Sequence, residues 1–354
     1  MLQRSHGAIR RLACRGLLTA LGATALFACT STAALAPGAS AATKATKASA
    51  PNLSGVTLTF ADQFKEYQTI LTAANALKGA QYTVSWQEFV GGPPIIAAET
   101  GGSVDLGDMA ETPTIFAQAA HDPVKVVAAL QGADPKQSPF GIIVPKGSPI
   151  TKVSQLRGKS IAVQEGTVEQ YVLIQILKKA GIPYNAVTID NLAVTNASTA
   201  VANGKVDAAV LTQPLIALDL HAGTVSELVS AAGYAQTLGY LTASQSALDN
   251  PKKAAAIADF INRFYKAQAT LRKDPALAAE TYVKTYGVTL PVAEAAVKSI
   301  QEVGTPITPS IISYQQAEAN TFTQLGLIPT KITVAKIFDL PYNKLVVKHA
   351  GLQS

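Results

Sequence analysis

The sequence predicts an α/β fold made of two similar blocks, with a helical C-terminal third. Short apolar runs alternate with amphipathic helical stretches from about residue 53 onward, which is typical of sheets covered by helices. The same rhythm restarts near residue 153, and beyond Pro251 the pattern is mostly helical. With 354 residues, of which 48% are hydrophobic and 15% charged, the chain can build a sizeable core, and its composition excludes a disordered protein.

The first block starts with an alternating apolar run and continues through helices that open on proline. Pro93-Pro94 and Thr112-Pro113 predict helix starts because proline fits the first helical turn, and Gly101-Gly102 predicts a helix end. The predicted strands cover 56–61, 82–89, 104–106, 124–130 and 140–144, with helices over 64–77, 93–101 and from 112 onward.

The second block and the C-terminal third follow by the same criteria. Gly166-Thr167 precedes an amphipathic stretch that Gly181 closes, and Pro214, Pro251 and Pro275 each begin a helical pattern. The predicted strands cover 160–163, 186–189, 206–211 and 238–242. The predicted helices cover 167–179, 196–201, 214 onward, 252–271, 275–286, 291–303 and 314–325.

Two crossover segments, near 140–145 and 239–241, divide the predicted blocks. We therefore expect a signal segment over 1–41, a linker over 42–52, lobe I over 53–143 plus 240–354, and lobe II over 144–239. Two lobes joined by crossing segments place a ligand in the cleft between them and close around it by a hinge.

The N-terminal segment predicts export. Basic residues precede the uncharged run Leu17–Ala28, which is too short to span a bilayer and is typical of a signal peptide. Two processing sites remain open: cleavage after Ala39-Ser40-Ala41, or a lipobox at Leu26–Cys29 that would make Cys29 the lipidated first residue, tethered by the Ala/Ser/Thr-rich stretch that follows. The protein is expected to be periplasmic, or anchored by lipid to the outer face of the membrane.

The net charge of +6 is largely a property of the same segment. Without its four arginines the chain has 25 basic and 23 acidic residues, so the charge does not indicate a nucleic-acid partner. Cys14 and Cys29 are the only cysteines, which leaves the body without a disulfide, a thiolate metal ligand or a cysteine nucleophile. The four histidines lack metal-site spacing, and no nucleophile elbow, P-loop or dinucleotide fingerprint occurs. We expect no enzyme activity and no cofactor.

Four segments join a predicted strand end to a predicted helix start through small or polar residues. They cover 61–63, 90–93, 108–112 and 164–167. Ligands of open α/β sheets lie at the carboxyl ends of strands, and free N–H groups at helix N-termini favour anions. Each segment alone is explained as an ordinary helix cap; the four together predict a cleft for a small anion.

The stretch Val84–Ala120, VSWQEFVGGPPIIAAETGGSVDLGDMAETPTIFAQAA, resembles the aliphatic sulfonate/taurine/nitrate-type substrate-binding proteins of ABC importers. Leu156–Gly166, LRGKSIAVQEG, is similar to the opening of that family's second lobe, and Leu241–Pro251 and Leu327–Phe338 resemble later landmarks. The resemblance implies a two-lobed periplasmic-binding-protein fold, a monomer, and delivery of a ligand to a membrane permease and its ATPase.

The resemblance also implies which residues line the cleft. The candidate ligand-binding residues are Gln63, Gly92, Pro93, Ala110, Glu111, Thr112, Gln164, Gly166, Thr167 and Gln213. The family often has an aromatic–acid–Pro triplet where this chain has Thr212-Gln213-Pro214, so the ligand is left open. A ligand sensor for a membrane partner and a binding protein for a thiamine precursor stay as alternatives.

Overall fold

The computed structural model describes residues 51–236 and 238–349. The predictions at Cys29 and at the 39–41 cleavage site lie outside these ranges. The strands are β1 (Thr57–Gln63), β2 (Thr83–Phe89), β3 (Leu106–Ala110), β4 (Val124–Gly132), β5 (Phe140–Pro145), β6 (Ser160–Val163), β7 (Thr188–Asn191), β8 (Ala208–Thr212), β9 (Val225–Ser230), β10 (Leu238–Ser244) and β11 (Glu302–Thr305).

The helices confirm the predicted α/β class. They are α1 (Glu66–Ala73), α2 (Gly92–Thr100), α3 (Thr112–Ala120), α4 (Val168–Lys179), α5 (Val194–Ala202), α6 (Leu215–Ala222), α7 (Gln245–Asp249), α8 (Pro251–Lys273), α9 (Pro275–Tyr286), α10 (Leu290–Ile300), α11 (Pro309–Gln324) and α12 (Asn343–His349). Short 3₁₀ turns follow β5, α4 and α11. No helix in the described ranges is both long and apolar enough to cross a bilayer.

The strands form two separate mixed sheets. The large sheet has the order β11-β4-β10-β3-β1-β2, and β10 runs antiparallel to both of its neighbours. The small sheet has the order β7-β6-β8-β5-β9, with β5 antiparallel to β8 and β9. The chain thus leaves the large sheet after β4 and returns to it at β10. We propose that the lobes follow these sheets, with β5 wholly in the second lobe and β10 wholly in the first.

Helices bury the apolar faces of both sheets. Phe60 of β1, at 0% exposure, packs against Phe260 of α8, whose ring centroid lies 5.1 Å away. In the small sheet, Ile161 and Val210 belong to one buried cluster with Val172 and Leu173 of α4. Near-continuous apolar strands of this kind are typical of sheets covered on both faces.

Several elements differ from the sequence-based prediction, among them one edge strand of each sheet. The helix predicted over 291–303 ends at Ile300, and residues 302–305 form β11. Val303 and Gly304 pair with Gln131 and Leu130 of β4, and this sheet pairing overrides the local helical pattern. The strand β9 was not predicted; it pairs with β5 through Val225–Ser230, where polar and apolar residues alternate only weakly.

Candidate functional site

A cleft lies where strand ends from both sheets meet the beginnings of helices. Gln63 and Ala110 end β1 and β3 of the large sheet, whereas Thr212 ends β8 and Gln164 follows β6 of the small sheet. The cleft is open to solvent, and the space it encloses together with that open solvent is about 890 Å³. Its position at the carboxyl ends of strands is where open α/β sheets bind ligands.

Six of the ten residues predicted from the sequence border this cleft: Gln63, Gly92, Ala110, Gln164, Thr167 and Gln213. The other four, Pro93, Glu111, Thr112 and Gly166, do not border it. Each of the four is next in sequence to a lining residue, so the predicted segments reach the cleft although these side chains do not border it. Whether the six contact a ligand remains a prediction.

Gln63 ties two walls of the cleft together. Its main-chain N–H donates to Asp108 Oδ1 (3.0 Å), and its side-chain Nε2 donates to the Asp108 carbonyl oxygen (3.1 Å). Its Oε1 accepts a hydrogen bond from Gly91 N–H (3.0 Å), just ahead of α2. The amide thus fixes the α2 N-terminus against the end of β3.

The other two glutamines lie on the small-sheet side. Gln164 Oε1 is buried and has no hydrogen-bond partner among the described residues. It lies 2.8 Å from where a Cβ on Gly91 would be, and only a glycine allows this approach. Gln213 Oε1 accepts from Ala217 N–H (3.2 Å), which holds this side chain at the start of α6. Of these two amide oxygens, Gln164 Oε1 is the one without a partner.

The Gly166-Thr167 segment corrects a sequence-based expectation. Both residues are candidates for ligand binding, since a threonine hydroxyl can donate to an anion and a glycine leaves room for backbone contact. Instead, Thr167 Oγ1 donates to the Gln164 carbonyl oxygen (2.7 Å), and Gly166 N–H donates to Gln170 Oε1 (2.9 Å). Gly166 has φ of +75°, so the glycine serves the turn before α4. Local hydrogen bonds thus use both donors.

The variant Thr167→Val tests this reassignment. We expect its unfolding free energy to fall by about 1 kcal/mol, because the Gln164 carbonyl loses a hydrogen bond. Affinity for ethanesulfonate, measured by calorimetry, should change by less than about threefold. Loss of affinity for ethanesulfonate at unchanged stability would indicate that the hydroxyl donates to the ligand instead.

Glu111 and Thr112 form a buried network behind the cleft. Both are 0% exposed, and the Thr112 hydroxyl donates to a carboxylate oxygen of Glu318 on α11, which is also 0% exposed. Burial raises the pKa of Glu318 to about 8, and burial together with the nearby Glu318 charge raises the pKa of Glu111 well above its ordinary value. Both residues therefore serve the α3–α11 contact, which sequence spacing could not show.

Helices α2, α3 and α4 all begin at the cleft, but they do not offer the same donors. Pro93 and Pro94 occupy the first turn of α2, and Pro113 that of α3. Proline has no N–H, so these two ends contribute mainly a dipole. Helix α4 has no proline in its first turn, where Thr167, Val168 and Glu169 border the cleft. The N–H groups that favour an acceptor therefore lie mainly on the α4 side.

Sequence reasoning missed the acidic residues of the cleft. Glu66, Asp108, Glu169 and Glu302 border it, and none of the described residues bordering it is a lysine, arginine or histidine. Asp108 lay within a predicted segment, but Glu66 was assigned only to a helix and Glu302 to the end of another. Only the chain fold brings these two together, so no local signal could have identified them.

Burial and mutual repulsion raise the pKa values of these carboxyls. The pKa of Glu66 is raised to about 8, first by burial and then by the charges of Glu302 and Asp62. Burial raises the pKa of Glu302 to about 7, partly opposed by a hydrogen bond from the Tyr67 hydroxyl (3.3 Å to Oε2). The pKa values of Asp108 and Glu169 are also raised by burial. Grouped carboxyls with raised pKa values in a cleft are typical of functional sites.

A family model described as NMT1/THI5 like matches residues 93–276, which include the α2, α3 and α4 walls of the cleft. The chain belongs to the NMT1/THI5-like family. Two curated relatives carry the same name, putative aliphatic sulfonates-binding protein. The one from Escherichia coli (strain K12) is 29% identical over 252 residues, covering 71% of this chain and 77% of the relative. The one from Bacillus subtilis (strain 168) is 27% identical over 265 residues, covering 74% and 77%.

Among solved structures, the alkanesulfonate-binding protein SsuA from Xanthomonas axonopodis pv. citri, bound to MOPS, matches with a TM-score of 0.74 and 26% identity. The match covers 80% of this chain and 98% of that one. The predicted resemblance to sulfonate-type substrate-binding proteins is confirmed, and so is the periplasmic-binding-protein fold. The relatives named here are binding proteins by name.

Proposed function

We propose that this chain is an exported solute-binding protein that captures a small organosulfonate or related anion in the cleft and delivers it to an ABC permease. The observation that carries the proposal is the similarity, over 71% of the chain, to a relative named for aliphatic sulfonate binding. The geometry supports it, since three helices begin at a cleft at the strand ends.

The proposed mechanism is capture without covalent chemistry. The headgroup binds at the α4 N-terminus, where the N–H groups of the first turn and the helix dipole favour negative charge. Glu169 lies in the same turn, and burial raises its pKa, which favours the neutral carboxyl that can donate to an anion. Closure of the two lobes then removes water and strengthens these interactions.

A thermal-shift screen tests the proposed ligand class. The panel contains ethanesulfonate, longer alkanesulfonates, taurine, sulfate, nitrate and a pyrimidine precursor of thiamine. A ligand that binds only the folded state raises the apparent stability by about 2.7 kcal/mol at a hundredfold excess over its dissociation constant. A sulfonate should give the largest shift. A shift with the pyrimidine alone would replace the proposed ligand by a thiamine precursor.

The membrane attachment is a separate proposal, on residues outside the described ranges. If Cys29 is lipidated, Cys29→Ser should move the expressed protein from the membrane fraction to the soluble fraction, because the acyl anchor is lost. Cys14→Ser, in the same leader, is the matched control and should leave the distribution unchanged. A mature N-terminus at Ala42 would instead establish cleavage after Ala41.

A further inference from the structure

Three carboxylates converge on the large-sheet wall of the cleft without a basic partner. Glu66 begins α1, Asp108 lies in β3 and Glu302 begins β11. The Glu66 carboxylate makes no hydrogen bond and no ion pair with any residue in the described ranges. Gly239 lets Glu302 reach the cleft, because a Cβ there would lie 2.6 Å from Glu302 Oε1. The wall therefore concentrates carboxyl groups that have no basic partner among the described residues.

Two polar atoms of the cleft lack a hydrogen-bond donor among the described residues, which favours a ligand at this wall. Asp108 is only 6% exposed; its Oδ1 accepts from Gln63 N–H (3.0 Å), whereas no described residue donates to its Oδ2. Asp108 borders the cleft, so a ligand there could donate to this oxygen. Gln164 Oε1, on the opposite wall, is likewise buried and unpartnered. A buried acceptor without a donor, such as Gln164 Oε1, is costly, which favours a ligand that brings donors.

The guanidinium of Arg272, the neighbouring cation, does not neutralise the carboxyls of this wall. Arg272 borders an adjoining apolar cavity that shares Glu66 with the cleft. Its Nη1 donates to the Glu302 carbonyl oxygen (2.7 Å), and its guanidinium forms no ion pair with Glu66 within the described part of the chain. The charge of Asp62 raises the pKa values of Glu66 and Asp108, and the carboxylates of the wall raise those of Tyr67, Tyr282 and Tyr286. Neither Asp62 nor any of these three tyrosines carries a positive charge.

We infer that Glu66, Asp108 and Glu302 form a cation subsite that takes a protonated amine on the ligand. The inference rests on the proposed function: the sulfonate lies at the α4 end of the cleft and the amine at the opposite wall. An ammonium group supplies three donors and one positive charge, which matches several grouped carboxylate oxygens. The subsite makes the cleft selective for aminosulfonates over plain alkanesulfonates.

Titration calorimetry with two matched ligands tests the subsite. Taurine and ethanesulfonate share a two-carbon sulfonate and differ in the amine. In buffer with EDTA at pH 7, the intact protein should bind taurine at least about tenfold more tightly. The variant Glu66→Gln keeps the side-chain size and should lose that preference, while its affinity for ethanesulfonate stays within about threefold. Glu280→Gln, exposed on α9, is the control and should behave as wild type.

Proton exchange gives a second readout that a structural role for Glu66 would not produce. The raised pKa of Glu66 keeps most of this group protonated in the empty cleft at pH 7, and an arriving ammonium favours its ionised form. Calorimetry in two buffers of different ionisation enthalpy should therefore show proton release with taurine and none with ethanesulfonate.

The outcomes separate the two proposals. Equal affinity for taurine and ethanesulfonate would overturn the cation subsite and leave the sulfonate proposal standing. If neither binds, the sulfonate proposal fails, and titration with ethanolamine then tests the cation subsite. Binding of ethanolamine that Glu66→Gln abolishes would support it, and no binding of ethanolamine would overturn it.

Discussion

The folded protein is expected to lose stability as the pH rises from 5 to 8. Burial raises the pKa values of several carboxyls in the fold: Asp62 to about 6, Glu302 to about 7, and Glu66, Glu99 and Glu318 to about 8. The unfolded chain releases these protons near its ordinary values, about 4 to 4.5. Each group therefore contributes fully to the free energy of unfolding at low pH. This contribution is lost as the pH rises through the folded-state pKa of the group.

The slope can reach about 1.4 kcal/mol per pH unit for each such group, so the sum amounts to several kcal/mol. Chemical denaturation at pH 5, 6.5 and 8 measures it. Glu99→Gln isolates one group outside the cleft, since Glu99 is 2% exposed and its Oε1 accepts from the Thr242 hydroxyl (2.8 Å). The amide keeps that bond and does not ionise.

At pH 8 this variant should therefore exceed the wild type by roughly 2–4 kcal/mol. At pH 5 it should be slightly less stable, because the amide carries an extra unpaired donor. A wild-type stability that is flat from pH 5 to 8, or a variant without advantage at pH 8, would contradict the raised pKa values.

Gly92→Ala should destabilise the protein and weaken ligand binding together. A Cβ at this position would lie 2.4 Å from Pro113 Cγ and 2.8 Å from Pro113 Cβ, at the contact between the α2 and α3 N-termini. The proline ring is rigid, so the two helices must separate. Overpacking of this kind costs about 1–3 kcal/mol. Because both helix ends form the cleft, affinity for ethanesulfonate should fall at least about tenfold.

Gly101→Ala, at the other end of α2, is the matched control. Gly101 is exposed, has φ of −76°, and its nearest neighbour to a Cβ is the Ala97 carbonyl oxygen at 3.3 Å. This variant should keep wild-type stability and affinity. If Gly92→Ala also kept wild-type stability and affinity, the close approach of α2 and α3 would not determine the shape of the cleft.

The sequence was sufficient for the features that local chemistry decides. The helix predicted over 275–286 coincides with α9, because Pro275 and Gly287 mark its two ends. The strand predicted over 160–163 coincides with β6. The position of the cleft followed from strand ends that lead into helix starts, and all four such segments reach it.

Contacts and strand pairings between residues distant in the chain could not be predicted from the sequence. Tyr67 and Glu302, which meet at the cleft, are 235 residues apart, and β11 exists only because β4 offers an edge for pairing. Thr167 has the residue type of a ligand donor, but the Gln164 carbonyl competes for its hydroxyl at 2.7 Å. Such competition is a matter of angles and distances that residue type does not encode.

The most direct test of the proposed binding function is calorimetric titration of the intact protein with ethanesulfonate and, separately, with ethanol at pH 7. The two share the two-carbon chain, and only the sulfonate carries a charge for the α4 N-terminus. Saturable binding of ethanesulfonate, at least about tenfold tighter than any binding of ethanol, is the predicted result. Equal affinity for the two, or no binding of either, would contradict an anion site in this cleft.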